Sequence, residues 1–433
     1  MKKENKKGNP FALIPLGVFL VLFLGVGIGT KDFYKMPVIV AFLASTAVAL
    51  VLNRKESLNK KLEVFCEGAG QSDIMMMCLI FILAGAFSNV AKAMGGVDAT
   101  VSLSLSFIPS QFLVVGMFLI ACFISVSMGT SVGTITALAP IGLGIAQTTG
   151  ISVAMITGAI IGGSMFGDNL SMISDTTITA TRTQGCELKD KFKVNFLIIL
   201  PAAIITVILL VFMTSGHQVE VKEAYTFEWI KVVPYVAVLI GALAGVNVFI
   251  LLASGTVLAA LVGMMTGSFD VFGAVDAASS GMLGMAEMVI LSMIIGGTLE
   301  LIKRNGGIEF LLNFIKERIH SKKGAEVGIA MLVGLVDICT ANNTIAIVMT
   351  GPLAKDIAEE YEIDPRRTAS ILDIFAASVQ GIIPYGAQLL AAAGLVGISP
   401  MEIIRYLHYP ILMAICGLIA IAIGFPNIKA KLK

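Results

Sequence analysis

Sixteen residues, Gly162 to Thr177, read GGSMFGDNLSMISDTT inside an otherwise apolar run. Two carboxylates, Asp168 and Asp175, stand seven apart, with Asn169, Ser171, Ser174 and Thr176 beside them. Hydroxyls, amides and carboxylates are hard oxygen ligands, suited to Na⁺ rather than to a soft metal. A buried carboxylate also takes up a proton, so one group serves a cation and H⁺ in turn. Competition between the two is the simplest physics of ion exchange.

Three further breaks have the same character. The first spans Ser127 to Thr134 and offers Ser127, Thr130, Ser131 and Thr134. The second spans Asp337 to Thr344 and offers Asp337, Thr340, Asn342, Asn343 and Thr344. The third spans Gln380 to Gln388 and offers Gln380, Pro384, Tyr385 and Gln388. Two adjacent amides in an apolar run, Asn342 and Asn343, cost several kcal/mol unless partnered. Asp168, Asn342 and Asn343 form the expected Na⁺ ligand set. Asp168, Asp175 and Asp373 are the expected proton carriers. Asp175, Asp337 and Asp373 also have plainer readings. Asp175 follows Ser174 in a Ser-Asp-Thr-Thr run that reads as a helix start. Asp337 reads as a turn cap, and Asp373 as the partner of an arginine on the cytoplasmic side. Half-helix N-termini at these breaks also suit an anionic group.

The elements that must position these groups are membrane helices. The chain has 433 residues, 57% hydrophobic and 14% charged, with mean hydropathy +0.91. Soluble chains carry about 25% charged residues, and apolar runs here are long enough to cross a ~30 Å hydrocarbon core. Spans are expected at 11–29, 36–52, 73–93, 110–147, 151–181, 194–213, 231–246, 248–266, 284–302, 325–357, 367–397 and 406–425. Those at 110–147, 151–181, 325–357 and 367–397 are broken. The N-terminal apolar segment is too long for a signal peptide and reads as the first span. Six scattered cysteines and three distant histidines make no metal or disulfide spacing. The net charge of +1 says nothing about partners, and a nucleic-acid partner is not expected of a membrane carrier.

A helix in lipid must satisfy its backbone internally, so a Gly-, Asn- and Ser-rich break belongs where protein lines a cavity. The breaks recur. Leu43-Ala44-Ser45 returns as Leu252-Ala253-Ser254, Gly95-Gly96 as Gly306-Gly307, Pro140 as Pro352 and Gly167 as Gly381. This near-constant offset predicts two repeats, 1–213 and 231–433, joined by a polar linker at 214–230. If 110–147 and 325–357 are re-entrant hairpins, each repeat crosses five times and the second is inverted. With both termini in the cytoplasm, the loops at 1–7, 54–61, 182–193, 303–323, 355–367 and 429–433 then fall inside and hold 24 of the 30 Lys and Arg residues. Loops 267–283 and 95–110 have neither residue type, whereas their counterparts 53–63 and 303–323 are basic. The expected fold is an all-α polytopic membrane protein of about ten transmembrane helices and two hairpins. Residues 308–323 are expected as an amphipathic helix on the inner surface, Glu300 as the i+3 partner of Lys303, and Glu287 and Asp73 near span ends.

The run Gly167-Asp168, Ser171, Ser174-Asp175-Thr176-Thr177 resembles the NhaC-type sodium/proton antiporter family of the wider ion-transporter superfamily, as does the hairpin turn Gly129-Thr130-Ser131…Gly133-Thr134. The resemblance covers nearly the whole chain. It implies a scaffold and a moving transport domain, elevator-like motion, a homodimer in the cell membrane, and Na⁺ and H⁺ as coupling ions with no other cofactor. The family often has Lys between Gly-Asp and Leu-Ser, where this chain has Asn169. It also includes carriers of amino acids and carboxylates.

The leading expectation is Na⁺/H⁺ antiport. A coupled carrier of an amino acid or small organic acid is the first alternative, suggested by the neutral donors and Tyr385. An intramembrane aspartyl protease is a distant one. Phe166-Gly167-Asp168 superficially fits it, but that chemistry needs a second Asp close by, and an inverted repeat has no purpose there. A channel fits broken repeats less well than alternating access. No phosphate-binding GxxxxGK[ST] run occurs, which argues against an ATP-driven pump.

Overall fold

Hydrocarbon-length apolar runs fold as helices because only a helix closes every backbone hydrogen bond within one segment. The computed structural model describes residues 8–30, 35–107, 112–172, 174–215, 228–244 and 246–427, and among these every regular element is helical. After a 3-10 turn at Pro10–Leu13, the first half runs through α1 (Ile14–Thr30), α2 (Val38–Val51), α3 (Leu58–Ala69), α4 (Ser72–Ala93), α5 (Gly96–Phe107), α6 (Leu113–Met128), α7 (Ser131–Thr149), α8 (Val153–Leu170), α9 (Asp175–Gln184) and α10 (Leu188–Thr214). The second half runs through α11 (Trp229–Leu243), α12 (Val248–Met265), α13 (Val271–Gly284), α14 (Ala286–Arg304), α15 (Gly307–Lys316), α16 (Lys322–Thr340), α17 (Asn343–Glu360), α18 (Pro365–Gln380), α19 (Ala387–Val396), α20 (Pro400–Ile404) and α21 (His408–Ile423). Among the described residues, seven stretches are long and apolar enough to cross a membrane, and shorter apolar helices accompany them. Most of the expected linker 214–230, and the start of the expected hairpin at 110, lie outside the described residues.

Several segments read as loops are helices. Loops 53–63, 95–110 and 267–283 overlap α3, α5 and α13, while α15 is the helix expected over 308–323, starting at Gly307 and ending at Lys316. In the first three, charged or small residues hid a helical period: α3 places Lys60 and Glu63 outward while Val64, Gly68 and Ala69 are buried. The basic loop 182–193 is also largely helical, because α10 starts at Leu188 and carries Lys191 into the interior. In α15, Ile308, Leu311 and Ile315 are buried, the spacing expected of a helix with one apolar face.

Glycines set the closest helix crossings. A Cβ on Gly163 would sit 2.2 Å from the Phe118 carbonyl oxygen, and one on Gly167 2.5 Å from that of Cys122. Small residues four apart let two backbones meet directly, as between membrane helices generally. Here they press α8 onto α6. The same device occurs twice more, with first- and second-half partners exchanged. Gly68 of α3 meets Gly296 and Gly297 of α14, while Gly85 of α4 meets Gly281 of α13.

The two helical hairpins close alike. α6 ends at Gly129, left-handed at φ 68°, and Thr130 caps α7 by accepting the Gly133 N–H at 3.3 Å. α16 ends at Ala341, left-handed at φ 49°, and Asn342 caps α17 by accepting the Ile345 N–H at 3.0 Å. Left-handed backbone is cheap for Gly129 but costs about 1–2 kcal/mol for Ala341. Pro140 and Pro352 stand inside α7 and α17, ten residues beyond their caps.

Candidate functional site

Helices α7, α9, α17 and α19 all begin at a break. The first residues of each converge on one cavity of about 250 Å³: Thr130 and Ser131 from α7, Ser174, Asp175 and Thr176 from α9, Asn342, Asn343 and Thr344 from α17, and Ala387 and Gln388 from α19. Asp168, from the last turn of α8, and Gln380, from the end of α18, complete the polar side. The facing wall is apolar, built by Ile74, Met76, Met77 and Ile80 of α4 and Phe249 of α12. Four partial positive charges therefore point at a space that also holds two carboxylates.

Asp168 is the centre of the polar side. Its Oδ2 accepts the Ser131 hydroxyl at 2.8 Å and the Ser131 N–H at 3.3 Å, and its Oδ1 accepts the Ser174 hydroxyl at 2.6 Å. Ser174 is also within hydrogen-bond distance of the Thr176 hydroxyl at 2.9 Å. The network continues into the second half. Gln388 Nε2 donates to the Ser131 hydroxyl at 3.0 Å, Gln380 Nε2 donates to Gln388 Oε1 at 2.8 Å, and Gln380 Nε2 also reaches the Ala341 carbonyl at 3.2 Å. One hydrogen-bond chain thus touches all four breaks. Gln380 Oε1 is left without a protein partner.

Several expected residues lie elsewhere. The break at 171–174 ends the helical register, so Asp168 and Asp175 do not share a helix face: Asp168 is buried in α8, and Asp175 is exposed in the first turn of α9. Ser127 donates to the Phe123 carbonyl at 3.1 Å and borders an apolar cleft. Ser171 donates to the Val126 carbonyl, Thr134 to that of Thr130, and Thr340 to that of Asn342. In each case a freed or helical carbonyl outcompetes the cavity. The Tyr385 hydroxyl donates to the Ile338 carbonyl at 2.7 Å and its ring packs edge-on against Phe19 and Phe42. Pro384 does not line the cavity. Asp337 is fully buried and both its carboxyl oxygens lack a hydrogen-bond partner.

Asn169 turns away from the cavity into a second polar cluster. There Lys191 of α10 pairs with Asp373 of α18 and donates to the Asn169 carbonyl and the Thr177 hydroxyl, both at 2.8 Å. Asn195 Nδ2 donates to Asn169 Oδ1 at 2.7 Å and to Asp373 Oδ2 at 3.1 Å. The expected arginine partner of Asp373 is engaged otherwise: Arg367 binds Glu326 through two nitrogens, at 2.6 and 2.8 Å. Lys191 and Asn195 escaped the sequence reading because a basic run beside a span reads as a surface loop. Their spacing of four, on one face of the same helix, was the available signal. Glu300 does pair with Lys303 at 3.1 Å and also accepts from Gln71 at 2.8 Å.

Comparison with known proteins finds relatives along almost the whole chain. The sequence profile of the Na⁺/H⁺ antiporter family matches residues 11–214 and 219–428. The chain is 23% identical to the malate-2H(+)/Na(+)-lactate antiporter of Bacillus subtilis over 430 residues, 91% of this chain and 90% of that one. It is 24% identical to the Na(+)/H(+) antiporter NhaC of the same organism, over 82% of this chain and 84% of the relative. It is 23% identical to the arginine/ornithine antiporter ArcD of Halobacterium salinarum, over 85% of this chain and 82% of the relative. These relatives are transporters rather than enzymes. The chain is a multi-pass membrane secondary transporter and belongs to the Na⁺/H⁺ antiporter family.

Proposed function

We propose that the protein exchanges Na⁺ for H⁺ at Asp168. The observation that carries this reading is the placement of the Asp168 carboxylate, buried where four helix breaks meet and beside a cavity of about 250 Å³. Na⁺ enters as substrate and takes its oxygens from Asp168 and from neighbours on the cavity, Ser174, Thr176 and Asn343 among them. When a proton takes the carboxylate instead, the cation loses its charge partner and leaves. Neither ion binds while the other holds the site, and that exclusion is what couples the two fluxes.

The motion that fits is an elevator. The polar side comes from α7–α9 and α17–α19, with the caps Gly129 and Ala341 that end α6 and α16, and the apolar wall from α4 and α12. The first group is read as the transport domain, sliding against a scaffold that includes the second. Two inverted repeats with both termini in the cytoplasm and a homodimeric assembly belong to the same reading. The exchanged glycine contacts of α3–α14 and α4–α13 support the repeats. The test is a proteoliposome assay. A Na⁺ gradient should drive proton movement read by a pH-sensitive dye, and Asp168→Asn should abolish it. Unchanged exchange in Asp168→Asn sinks the assignment.

A second reading has its own observation. The cavity is larger than a bare cation needs, and four helix N-termini favour an anionic group there. A small organic anion or amino acid would place its carboxylate at those N-termini while the coupling cation sits at Asp168. The names of two relatives, which include malate, lactate, arginine and ornithine, point the same way. Uptake of labelled hydroxy acids and amino acids, with and without Na⁺, separates the readings.

A further inference from the structure

Asp337 is the fourth residue before the left-handed cap of α16, and the Ala341 N–H donates to its backbone carbonyl at 2.7 Å. Ser125 holds the same place in α6, where the Gly129 N–H donates to its backbone carbonyl at 2.9 Å. The two positions are equivalent by geometry but differ in chemistry. The Ser125 hydroxyl is a satisfied donor, 2.6 Å from the Ser164 carbonyl. The Asp337 side chain has 0% exposure, and neither of its oxygens meets a donor.

An ionised carboxylate only accepts hydrogen bonds, whereas a protonated one also donates. At a position where the equivalent residue donates to a neighbouring helix, only the protonated form of Asp337 supplies the same kind of group. A bare charge buried without a partner is far costlier than a neutral acid. The surroundings do not relieve that cost. Among the described residues, the titratable side chains that interact with Asp337 are Tyr385, in the 381–386 break, and Cys339, on α16 itself. The Tyr385 hydroxyl is spent on the Ile338 carbonyl. On α18, Asp373 is held by Lys191, and Arg367 is held by Glu326 at the opposite end of α16. Asp337 is also absent from the lining of the Asp168 cavity.

We propose that Asp337 carries a proton of its own, apart from the Asp168 cavity. Its carboxylate takes up H⁺ from one face of the membrane and the resulting acid releases it to the other. One turnover then moves this proton in addition to the one exchanged against Na⁺. The proposal goes beyond the Na⁺/H⁺ reading of Asp168 and rests on it for the direction of transport. A carrier that moves an extra proton moves net charge, so its rate responds to membrane voltage.

The test uses Asp337→Ser, which places in α16 the hydroxyl that α6 has at Ser125, with Asp337→Asn as a second variant should the first fold poorly. Proteoliposomes holding a potassium gradient and valinomycin set the voltage. The expected result is native Na⁺ uptake that speeds and slows with voltage, and variant uptake that persists but has lost the voltage response. A native voltage response in Asp337→Ser or Asp337→Asn overturns the proposal, as does native uptake indifferent to voltage. Should the native protein move no Na⁺ at all, the Na⁺/H⁺ reading fails, and infrared spectroscopy still decides this one. The carbonyl stretch of a protonated acid should vanish in Asp337→Asn and titrate with pH in the native protein. A band missing from the native protein, or one that Asp337→Asn leaves in place, overturns the proposal. A band that never titrates makes Asp337 a fixed donor and overturns it too.

Discussion

Asp168 and Ser131 are joined twice, through the serine hydroxyl at 2.8 Å and its backbone N–H at 3.3 Å, so the end of one broken helix is clamped to the start of another. The relation ties a carboxylate to a hairpin tip whose conformation depends on Gly129 and Thr130. Hydrogen bonds to a charged group contribute about 1.5–3 kcal/mol each. Ser131→Ala removes the stronger of the two and keeps the N–H. The expected outcome is Na⁺ affinity reduced about tenfold or more, with the protein still folded. Isothermal titration with Na⁺ on purified protein measures it. Equal affinity in the variant would show that the clamp is structural only.

Gln388 links the halves, since its Nε2 donates to Ser131 and its Oε1 accepts from Gln380. Replacing it with leucine keeps much of the volume and removes both bonds. The Ser131 hydroxyl then still donates to Asp168, but its orientation is no longer fixed from the second half. Transport by Gln388→Leu should fall about tenfold, while Na⁺ binding weakens less. That split between rate and binding distinguishes a coupling element from a ligand. A loss confined to binding would count against it.

Lys191 and Asp373 are both fully buried, and removing one partner strands the other charge. Breaking a buried pair costs about 3–5 kcal/mol, whereas replacing both partners with apolar groups is often neutral. Lys191→Met should therefore lower the thermal stability of the detergent-solubilised protein markedly. The double variant Lys191→Met/Asp373→Leu should recover much of it. If the double variant is no better than the single, the remaining donors and acceptors on Asn169, Thr177 and Asn195 dominate the cluster instead.

The helical class and the convergence of the breaks were legible because lipid punishes irregular backbone, so each Gly- and Asn-rich interruption had to have a purpose. Asp168, Ser131, Ser174, Gln380 and Gln388 were all visible on that ground. Which way a side chain turns at a break was not. Asn169 adjoins Asp168 in sequence, yet it faces Lys191 and Asn195, and no local pattern encodes that choice. Lys191 was hidden for a related reason: a charge near a helix end reads as solvated until its tertiary partner is known. Helices α3, α5 and α13 were missed because charged or small residues diluted their apolar faces, whereas α15 was legible from its one-sided apolar spacing.

The orientation of the halves gives the last prediction. If each repeat crosses an odd number of times, as proposed, residues 182–193 and 303–323 lie on the same side of the membrane. Glu187 at the start of α10 and Glu317 at the end of α15 are the probes of those two segments, because both flank a helix end rather than its interior. Single cysteines are introduced there after the exposed Cys66 and the half-exposed Cys186 and Cys416 are replaced. In intact cells a membrane-impermeant maleimide should react with neither Glu187→Cys nor Glu317→Cys, and in inverted vesicles with both. The basic residues around each site oppose translocation across the membrane, so both are expected on the cytoplasmic side. Labelling of one from outside and the other from inside would put an even number of crossings between the breaks. The second half would then stand parallel to the first, and the meeting of four helix N-termini would need another explanation than inversion.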